Sequence, residues 1–471
     1  MTKGELTPEE PVPGKGAAGS KGPLPGNNPN TQRLERVLTK QQRIAELARE
    51  RRQESLTSLN HHLDEEWLAE AVERVRAESA PGIDGQTLAD YRQGLENRLR
   101  DLLHRAKSGD YKAPPVKRVY IPKDEKETRP IGMPAIEDKI LQRAVVMLLE
   151  PIYEEDFKDF SYGFRPGRSA HQALESMWRH IMNQNTGWIL DVDIRKFFDT
   201  LDHSHLRQIL EHRVKDGVIL RLIGKWLNAG IMEKGQIHYP KEGTPQGGVV
   251  SPLLSNIYLH EVLDCWWQEM VKPVLRGRAF LIRYADDFVM GFELRSDAER
   301  VHRVIFKRFQ KFGLSLHPEK TRLVPFVSPG RASAAGDGPP GTFDFLGFTH
   351  YWGKSRKGRW TVVRKTSRKR LNRALKRVNE WCRDNRHEKL SRQVEKLGLK
   401  LKGHFGYYGI TGNLHSLEEF RWRVIRQWRY WLNRRDRDHG SMPWERMKRL
   451  LDFWYLPAAK VVHSVFAKPC V

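Results

Sequence analysis

Two neighbouring carboxylates, Asp286 and Asp287, are the residues of this chain best suited by type and spacing to hold a divalent cation. They stand between the apolar runs 280–282 and 288–290, a pattern that predicts a strand, an acidic turn and a second strand. Such a hairpin would aim carboxylate oxygens at a cation from a rigid base. A solvated Asp-Asp turn has the same pattern, so the pair alone leaves a metal site and a surface turn as alternatives.

A second acidic cluster lies in the mostly apolar run 188–199, where Asp191 and Asp193 alternate with apolar residues. This alternation predicts a strand with both carboxylates on one face. A buried strand tolerates them only if their charge is compensated, and metal ions are one form of compensation. Two Mg²⁺ ions that serve attack on phosphorus need carboxylates from more than one strand. We expect Asp193, Asp286 and Asp287 to supply them.

The charge balance indicates a polyanionic partner. The 471 residues include 82 Lys and Arg against 58 Asp and Glu, which gives a formal net charge of +24 at pH 7. Attraction of this kind is spread over many phosphates and is weakened by salt. A basic protein that is merely soluble is the alternative interpretation. The length predicts two or three domains with ample core.

The three cysteines and the apolar runs exclude several classes of protein. Cys265, Cys382 and Cys470 are far apart and form no CxxC pair, so we expect a reduced cytosolic protein without a disulfide framework or a cysteine zinc site. The longest apolar runs are too short to cross a bilayer, which predicts no membrane partner. The chain start has no signal-peptide pattern.

Composition divides the chain into five expected segments. They are a disordered leader (1–30), an N-terminal helical extension (31–115), an α/β catalytic body (116–355), a basic helical domain (356–438) and a short DNA-binding tail (439–471).

The basic helical domain is expected to grip nucleic acid. Between residues 351 and 380 twelve lysines and arginines face one acidic residue. Farther on, apolar residues keep helical spacing and belong to the core, while interleaved arginines face outward and can meet phosphate. A solvated basic face is the alternative. The candidate nucleic-acid contacts are Arg364, Lys365, Arg368 and Lys369.

Together with the acidic clusters, four further segments resemble the reverse transcriptases encoded by group II introns, the maturase family. The similarity covers about residues 80–435. The segments are Val119–Pro134, Phe160–Ser169, Gly243–Pro252, and Phe312–Thr321 followed by Phe343–Phe348.

The resemblance implies an α+β fold of the right-hand polymerase type, with fingers, palm and a helical thumb or maturase domain. It implies an RNA-directed DNA polymerase that uses two Mg²⁺ ions, for which Mn²⁺ could substitute. The expected partners are dNTPs, an RNA template with a DNA or RNA primer, group II intron RNA whose splicing and mobility the protein assists, and target DNA. The expected location is the bacterial cytoplasm or nucleoid. The family's optional nuclease domain, usually built with paired cysteines, has no counterpart in the sequence.

The resemblance also assigns nucleotide-binding residues. Lys123 and Arg129 match the cations that clamp the incoming triphosphate, and Gln246 matches a contact to the incoming nucleotide. Phe198 matches an aromatic ring under the nucleotide sugar that would clash with a 2′-hydroxyl, which predicts dNTP over rNTP. Because Phe197 is adjacent, only one of the two rings can face the site, and core packing stays open for either.

Four further residues are expected to contribute to the site or to contact nucleic acid. Ile194 is expected beside Asp193 in the metal and nucleotide site. Lys320 matches a proposed acid that protonates pyrophosphate, although a surface lysine fits as well. Arg165 and Arg168 would bind template backbone, and a structural turn is the alternative.

Two other functions remain open. A domesticated or defence-associated reverse transcriptase would make cDNA without an intron. An RNA-binding maturase alone would have no polymerase activity, but buried acids such as Asp286 would then have no physical reason to be kept.

Overall fold

The computed structural model describes residues 29–122, 128–233, 235–239, 242–243, 247–331, 339–355, 357–435 and 442–464. These residues form helices at both ends of the chain and three antiparallel or mixed sheets between them. The prediction of an α+β fold is confirmed. Lys123, Gln246 and nearly all of the expected leader lie outside the described residues.

Four helices precede the first strand and share one hydrophobic core with the catalytic body. They pack on α5, which is buried along almost its whole length; for example, Trp67 Nε1 donates to the Ala144 carbonyl at 2.9 Å. The N-terminal segment is therefore helical, as expected, but it is continuous with the body. The helices are α1 (Pro29–Glu50), α2 (Glu65–Glu73), α3 (Leu88–Tyr91), α4 (Leu95–Ser108) and α5 (Ile136–Glu154).

The sheet that carries the acidic residues has the order β6-β7-β3-β8, and every neighbouring pair is antiparallel. Three of its strands, β3, β6 and β7, are apolar and mostly buried, whereas the edge strand β8 is partly exposed. The register sets Val192 of β3 opposite Phe288 of β7, which brings the end of β3 beside the β6–β7 turn. The strands are β3 (Trp188–Val192), β6 (Ala279–Tyr284), β7 (Asp287–Phe292) and β8 (Arg322–Pro325).

The helices around this sheet come from the middle of the chain. Helix α9 runs directly into a π-helix, His260–Val271, which is long for this rare helix type. The α-helices are α6 (Ala170–Asn183), α7 (His203–Glu211), α8 (Gly217–Leu227), α9 (Ser251–Leu259) and α10 (Arg295–Lys311).

A second sheet has the order β2-β1-β4-β5. Its β1–β2 hairpin pairs Ile121 with Arg129 and so positions one of the expected nucleotide-binding residues. The strands are β1 (Val116–Pro122), β2 (Thr128–Met133), β4 (Ile231–Glu233) and β5 (Gln236–His238).

The third sheet, ordered β11-β10-β9, leads into a C-terminal helical bundle with its own core. The expected boundary at 355/356 is wrong, because it falls in the turn of the β10–β11 hairpin, which pairs residues 348–354 with 360–366. The elements are β9 (Phe343–Phe345), β10 (Phe348–Lys354), β11 (Trp360–Thr366), α12 (Arg368–Asp384), α13 (Leu390–Tyr408), α14 (Leu414–Leu432) and α15 (Trp444–Phe453).

None of the helices in the described ranges combines the length and apolar character that a bilayer crossing requires.

Candidate active site

The β6–β7 turn presents the acidic pair, and its backbone is unusual. Ala285 has φ of 56°, in the left-handed region that non-glycine residues seldom adopt. Gly163 packs directly against it, and a Cβ at that position would lie 2.2 Å from the Ala285 nitrogen. Gly163 is therefore required by close approach, and it locks the turn from outside the hairpin.

A buried ion pair holds the same turn from beneath. Arg283 is fully buried and pairs with the equally buried Asp264 of the π-helix, its Nε donating to Asp264 Oδ1 at 2.8 Å. The guanidinium also donates to the Ala285 carbonyl at 3.2 Å and to Asn256 Oδ1 at 2.9 Å. Asn256 in turn donates to the Gly163 carbonyl at 2.7 Å. One cation thus links the turn, the neighbouring loop and two helical segments.

Asp193 lies just beyond the end of β3. Its carbonyl accepts from the His317 nitrogen at 2.8 Å, which ties it to the segment that carries Lys320. Lys320 Nζ lies 3.3 Å from Asp193 Oδ2. Ile194 follows with a buried side chain, so only its main-chain atoms could serve a metal ion or nucleotide.

Asp191 does not join this group. It lies within β3 and its Oδ2 is 3.4 Å from Arg322 Nε on the neighbouring strand β8. Burial raises the pKa of Asp191 to about 6, and Arg322 opposes that rise. The sequence predicts that Asp191 and Asp193 share one face of a strand and that their charge is compensated there. In the structure Asp191 pairs with Arg322, whereas Asp193 lies beyond the end of β3 and contacts Lys320.

A cavity of about 430 Å³ opens over Asp286 and Asp287. Strand β2, the β6–β7 turn and helices α12 and α13 all contribute to its wall. Its volume falls in the range of small-molecule pockets, and its polar side chains could receive a nucleotide. Its other lining residues are Arg129, Ile131, Phe164, Phe198, Gly247, Gly248, Ser251, Pro252, Tyr284, Ala285, Leu346, Gly347, Arg370, Tyr407 and Tyr408.

The negative charge of the acidic pair is only partly compensated in this cavity. Desolvation raises the pKa of Asp287 to about 7, and the carboxylates of Asp286 and Asp193 add to the rise. Desolvation also raises the pKa of Asp286, against the nearby charge of Arg129. Hard oxygen donors that repel one another in a partly dehydrated cavity fit a divalent cation.

The carboxylates are not yet arranged as a complete set of metal ligands. Among the residues that the structure describes, no three His, Cys, Asp or Glu side chains are close enough together to hold a metal ion. Asp193 is engaged by Lys320, and ligands from the nucleotide phosphates would be needed as well.

Of the four side chains predicted to bind nucleotide, two line the cavity and two lie outside the described residues. Arg129 and Phe198 line the cavity. Both Phe197 and Phe198 belong to the main core, but Phe197 is the more deeply buried and does not line the cavity. Lys123 and Gln246 fall outside the described residues, although Gly247 and Gly248, which follow Gln246, line the cavity wall.

Two predicted nucleic-acid contacts need correction. Arg165 is buried, with a three-point ion pair to Glu154 and a bond to the Ser161 carbonyl at 2.9 Å, so its role is structural. Arg364 lies within β11 and is 3% exposed, so a phosphate backbone cannot reach it.

The remaining predicted contacts keep some access to solvent. Arg168 is half-buried and pairs with Asp159 at 2.9 Å. Lys365, Arg368 and Lys369 are exposed and stay candidates.

Sequence reasoning missed several residues of the site. The Arg283–Asp264 pair gave no signal, because arginine is ordinarily a surface residue. Tyr407 and Tyr408 of the C-terminal bundle line the cavity with Arg370. Arg370 belongs to the Lys/Arg-rich run 351–380, and nothing in the sequence distinguishes it from the other basic residues of that run.

Comparison with known proteins agrees with this geometry. Residues 121–350 match the reverse transcriptase (RNA-dependent DNA polymerase) family. Protein YkfC of Escherichia coli (strain K12) is 35% identical over 337 residues, covering 63% of this chain and 84% of YkfC. Group II intron-encoded protein LtrA of Lactococcus lactis is 44% identical over 168 residues, covering 36% of this chain and 28% of LtrA. Nuclear intron maturase 4 of Arabidopsis thaliana is 27% identical over 174 residues, covering 36% of this chain and 21% of the maturase.

Proposed function

Because the chain belongs to the reverse transcriptases encoded by group II introns and is an RNA-directed DNA polymerase, we propose that it adds dNTPs to a primer 3′-hydroxyl in the cavity over Asp286 and Asp287. The observation that carries this site assignment is the shared cavity. The acidic pair, the fingers residue Arg129 and the aromatic Phe198 all line it.

We propose that Asp193, Asp286 and Asp287 hold two Mg²⁺ ions. When bound, such ions lower the pKa of an attacking hydroxyl and neutralise charge that develops on the leaving pyrophosphate. The carboxylates of the acidic pair, whose negative charge is only partly compensated, support this fit. Ile194 would add a main-chain oxygen beside Asp193.

The other residues bind and orient the reactants. Arg129 offers a guanidinium to the triphosphate, with Lys123 and Gln246 as further proposed contacts. Phe198 lies under the sugar and excludes a 2′-hydroxyl by its bulk. Lys320, whose Nζ lies 3.3 Å from Asp193 Oδ2, would give a proton to the leaving pyrophosphate.

Replacing Asp286 tests the polymerase site. We expect Asp286→Ala to lose RNA-templated dNTP incorporation by at least about 1,000-fold, because an oxygen ligand is removed where charge develops. RNA binding should survive, since it depends on the basic surface. The matched control is Asp199→Ala, which removes an exposed carboxylate from the run 188–199 that does not line the cavity. Primer extension by Asp286→Ala at the wild-type rate would overturn the assignment.

A second function, binding of group II intron RNA to assist its splicing, is supported by the similarity to intron-encoded proteins and by exposed Lys365, Arg368 and Lys369. This role does not need the acidic pair. A splicing assay with Asp286→Ala should therefore retain activity on the cognate intron. If the wild-type protein aids no intron, the maturase role falls while the polymerase role stands.

A further inference from the structure

Gln142 is a polar residue of helix α5 that is buried and does not line the catalytic cavity. Its side-chain oxygen Oε1 accepts a hydrogen bond from the Val249 nitrogen at 2.8 Å and another from the Val250 nitrogen at 3.4 Å. These two residues follow Gly247 and Gly248, which line the cavity over the acidic pair. Gln142 therefore supports the cavity wall through the main chain of the loop 247–250.

The loop 247–250 leads directly into α9, and its last residue, Val250, is the N-cap of that helix. The first N–H groups of a helix have no acceptor within the helix, and the side chain of an N-cap Ser, Thr, Asp or Asn usually supplies one. Val250 makes no such bond, because its side chain is apolar. Gln142 accepts the Val250 N–H from a different helix and so links α5 to the start of α9.

The same loop also contacts strand β2. Gly247 has φ of 113°, and a Cβ at this position would lie 2.4 Å from the Gly132 carbonyl oxygen. Strand β2 carries Arg129, the residue proposed to bind the triphosphate. Because Gly247 contacts β2 and Val249 contacts Gln142 of α5, two separate elements hold the loop in place.

Solvent has little room to take the place of the Gln142 oxygen. A cavity of only about 20 Å³ lies between α5 and the loop, and Gln142, Gly248 and Val250 are among its lining residues. Such a volume admits about one water molecule. Removing the acceptor at position 142 would therefore weaken the attachment of the loop to α5.

We propose that Gln142 is a positioning residue for the incoming nucleotide, because it fixes the loop 247–250 in the wall that the nucleotide contacts. The inference rests on the proposed polymerase function and adds a residue outside the cavity to it. The amide oxygen is neutral and has no part in the chemical step. Its loss should therefore weaken dNTP binding in the ground state and the transition state alike, which raises the KM for dNTP and leaves kcat nearly unchanged.

Amide hydrogen exchange tests the contact directly and does not depend on polymerase activity. Gln142→Met keeps a side chain of similar length but has no oxygen acceptor. We expect it to speed exchange of the peptide that contains Val249 and Val250 by roughly 3- to 10-fold, the effect of one neutral hydrogen bond. Gln142→Glu keeps an acceptor oxygen and should retain wild-type protection. Unchanged exchange in Gln142→Met would overturn the inference.

Steady-state extension of a DNA primer on an RNA template tests the consequence for the reaction. Gln142→Met should raise the KM for the complementary dNTP by roughly 3- to 10-fold, the same effect of one hydrogen bond, with little change in kcat. Gln142→Glu should keep the KM close to that of the wild type. A defect of Gln142→Met in kcat alone would contradict a positioning role.

The matched control is Lys139→Met, because Lys139 is another buried polar residue of α5 and its Nζ donates to Ser79 Oγ at 2.9 Å instead of to the loop. Urea unfolding should show that both methionine variants lose stability. Lys139→Met should nevertheless keep the wild-type KM for dNTP and the wild-type exchange at Val249. An equal rise in KM for Lys139→Met would show a general effect of destabilisation and overturn the inference. A wild-type protein that extends no primer would instead overturn the proposed polymerase function, while hydrogen exchange would still decide whether Gln142 holds the loop.

Discussion

Phe198 is the single residue on which sugar selection should depend. It lines the cavity, whereas its neighbour Phe197 packs in the main core at a ring separation of 5.4 Å. We expect Phe198→Ala to increase rNTP use relative to dNTP by roughly 10- to 100-fold, because shape discrimination over a few carbon atoms is of this size. Competing incorporation of rNTP and dNTP opposite the same template base measures the ratio.

The neighbouring ring provides the matched control. Phe197→Leu keeps an apolar side chain in the core and should leave the rNTP/dNTP ratio unchanged, with only a modest loss of stability. If Phe197→Leu relaxes the ratio and Phe198→Ala does not, the assignment of the two rings is reversed.

At the scale of elements, the π-helix and the β6–β7 hairpin are joined by Asp264 and Arg283. We expect Asp264→Ala to destabilise the protein by about 3–5 kcal/mol, since it leaves the Arg283 guanidinium buried without its partner. The double variant Asp264→Ala/Arg283→Met should recover most of this stability, because an apolar pair has no desolvation penalty. Urea unfolding of both variants measures the difference.

Activity should separate from stability in the double variant. Methionine cannot donate to Ala285 or Asn256, so the turn that carries the acidic pair loses its support. We expect a stable protein with a lowered kcat and a nearly unchanged KM for primer. Wild-type kcat in the double variant would show that the ion pair serves folding alone.

Helix α5 carries a buried acid that should make stability depend on pH. Asp138 is 1% exposed, and its carboxyl group faces the Trp226 side chain, whose interaction only partly offsets the effect of burial. Burial raises the pKa of Asp138 to about 8, compared with about 4 for an exposed carboxyl group. Between these values the folded state holds a proton that the unfolded state has released. Stability therefore falls as the pH rises through this interval.

Replacement by an isosteric amide tests this dependence. Asp138→Asn is neutral at every pH, so its free energy of unfolding should exceed that of the wild type by more at pH 8 than at pH 5. We expect the gap to widen by roughly 2–4 kcal/mol, after allowance for local relaxation around a buried charge. Urea unfolding at several pH values measures both proteins, and parallel curves would contradict the prediction.

The whole molecule shows which features the sequence could predict. The alternation around Asp193 and the apolar runs around Asp286 predicted strands, and strands β3, β6 and β7 are present. The sequence did not give the order of these strands, which brings distant carboxylates to one edge. Nor could it separate buried from exposed arginines. The burial of Arg165 depends on Glu154 reaching it in space, and no local pattern records that contact.

The predicted domain boundary at 355/356 is wrong for a related reason. Composition changes near residue 351, but the backbone pairing continues to residue 366, because β10 and β11 form one hairpin. The sheet β11-β10-β9 also shares a hydrophobic core with the sheet that carries the acidic residues. Val362 and Phe348 of the first pack in the same cluster as Ile189 of the second. A shift in surface charge therefore does not mark the end of a folding unit.

Truncation at two points tests this interlocking. A chain that ends at residue 355 leaves β10 without β11 and removes the bond from Trp178 Nε1 to the Val362 carbonyl at 3.1 Å. A chain that ends at residue 366 keeps both. We expect limited proteolysis to degrade the shorter chain much faster, because an unpaired strand edge and uncovered apolar side chains favour local opening. The bundle α12–α15 is absent from both chains, so its loss cannot account for a difference between them. Equal protease resistance would mean that the palm is complete at residue 355 and that β11 belongs energetically to the bundle.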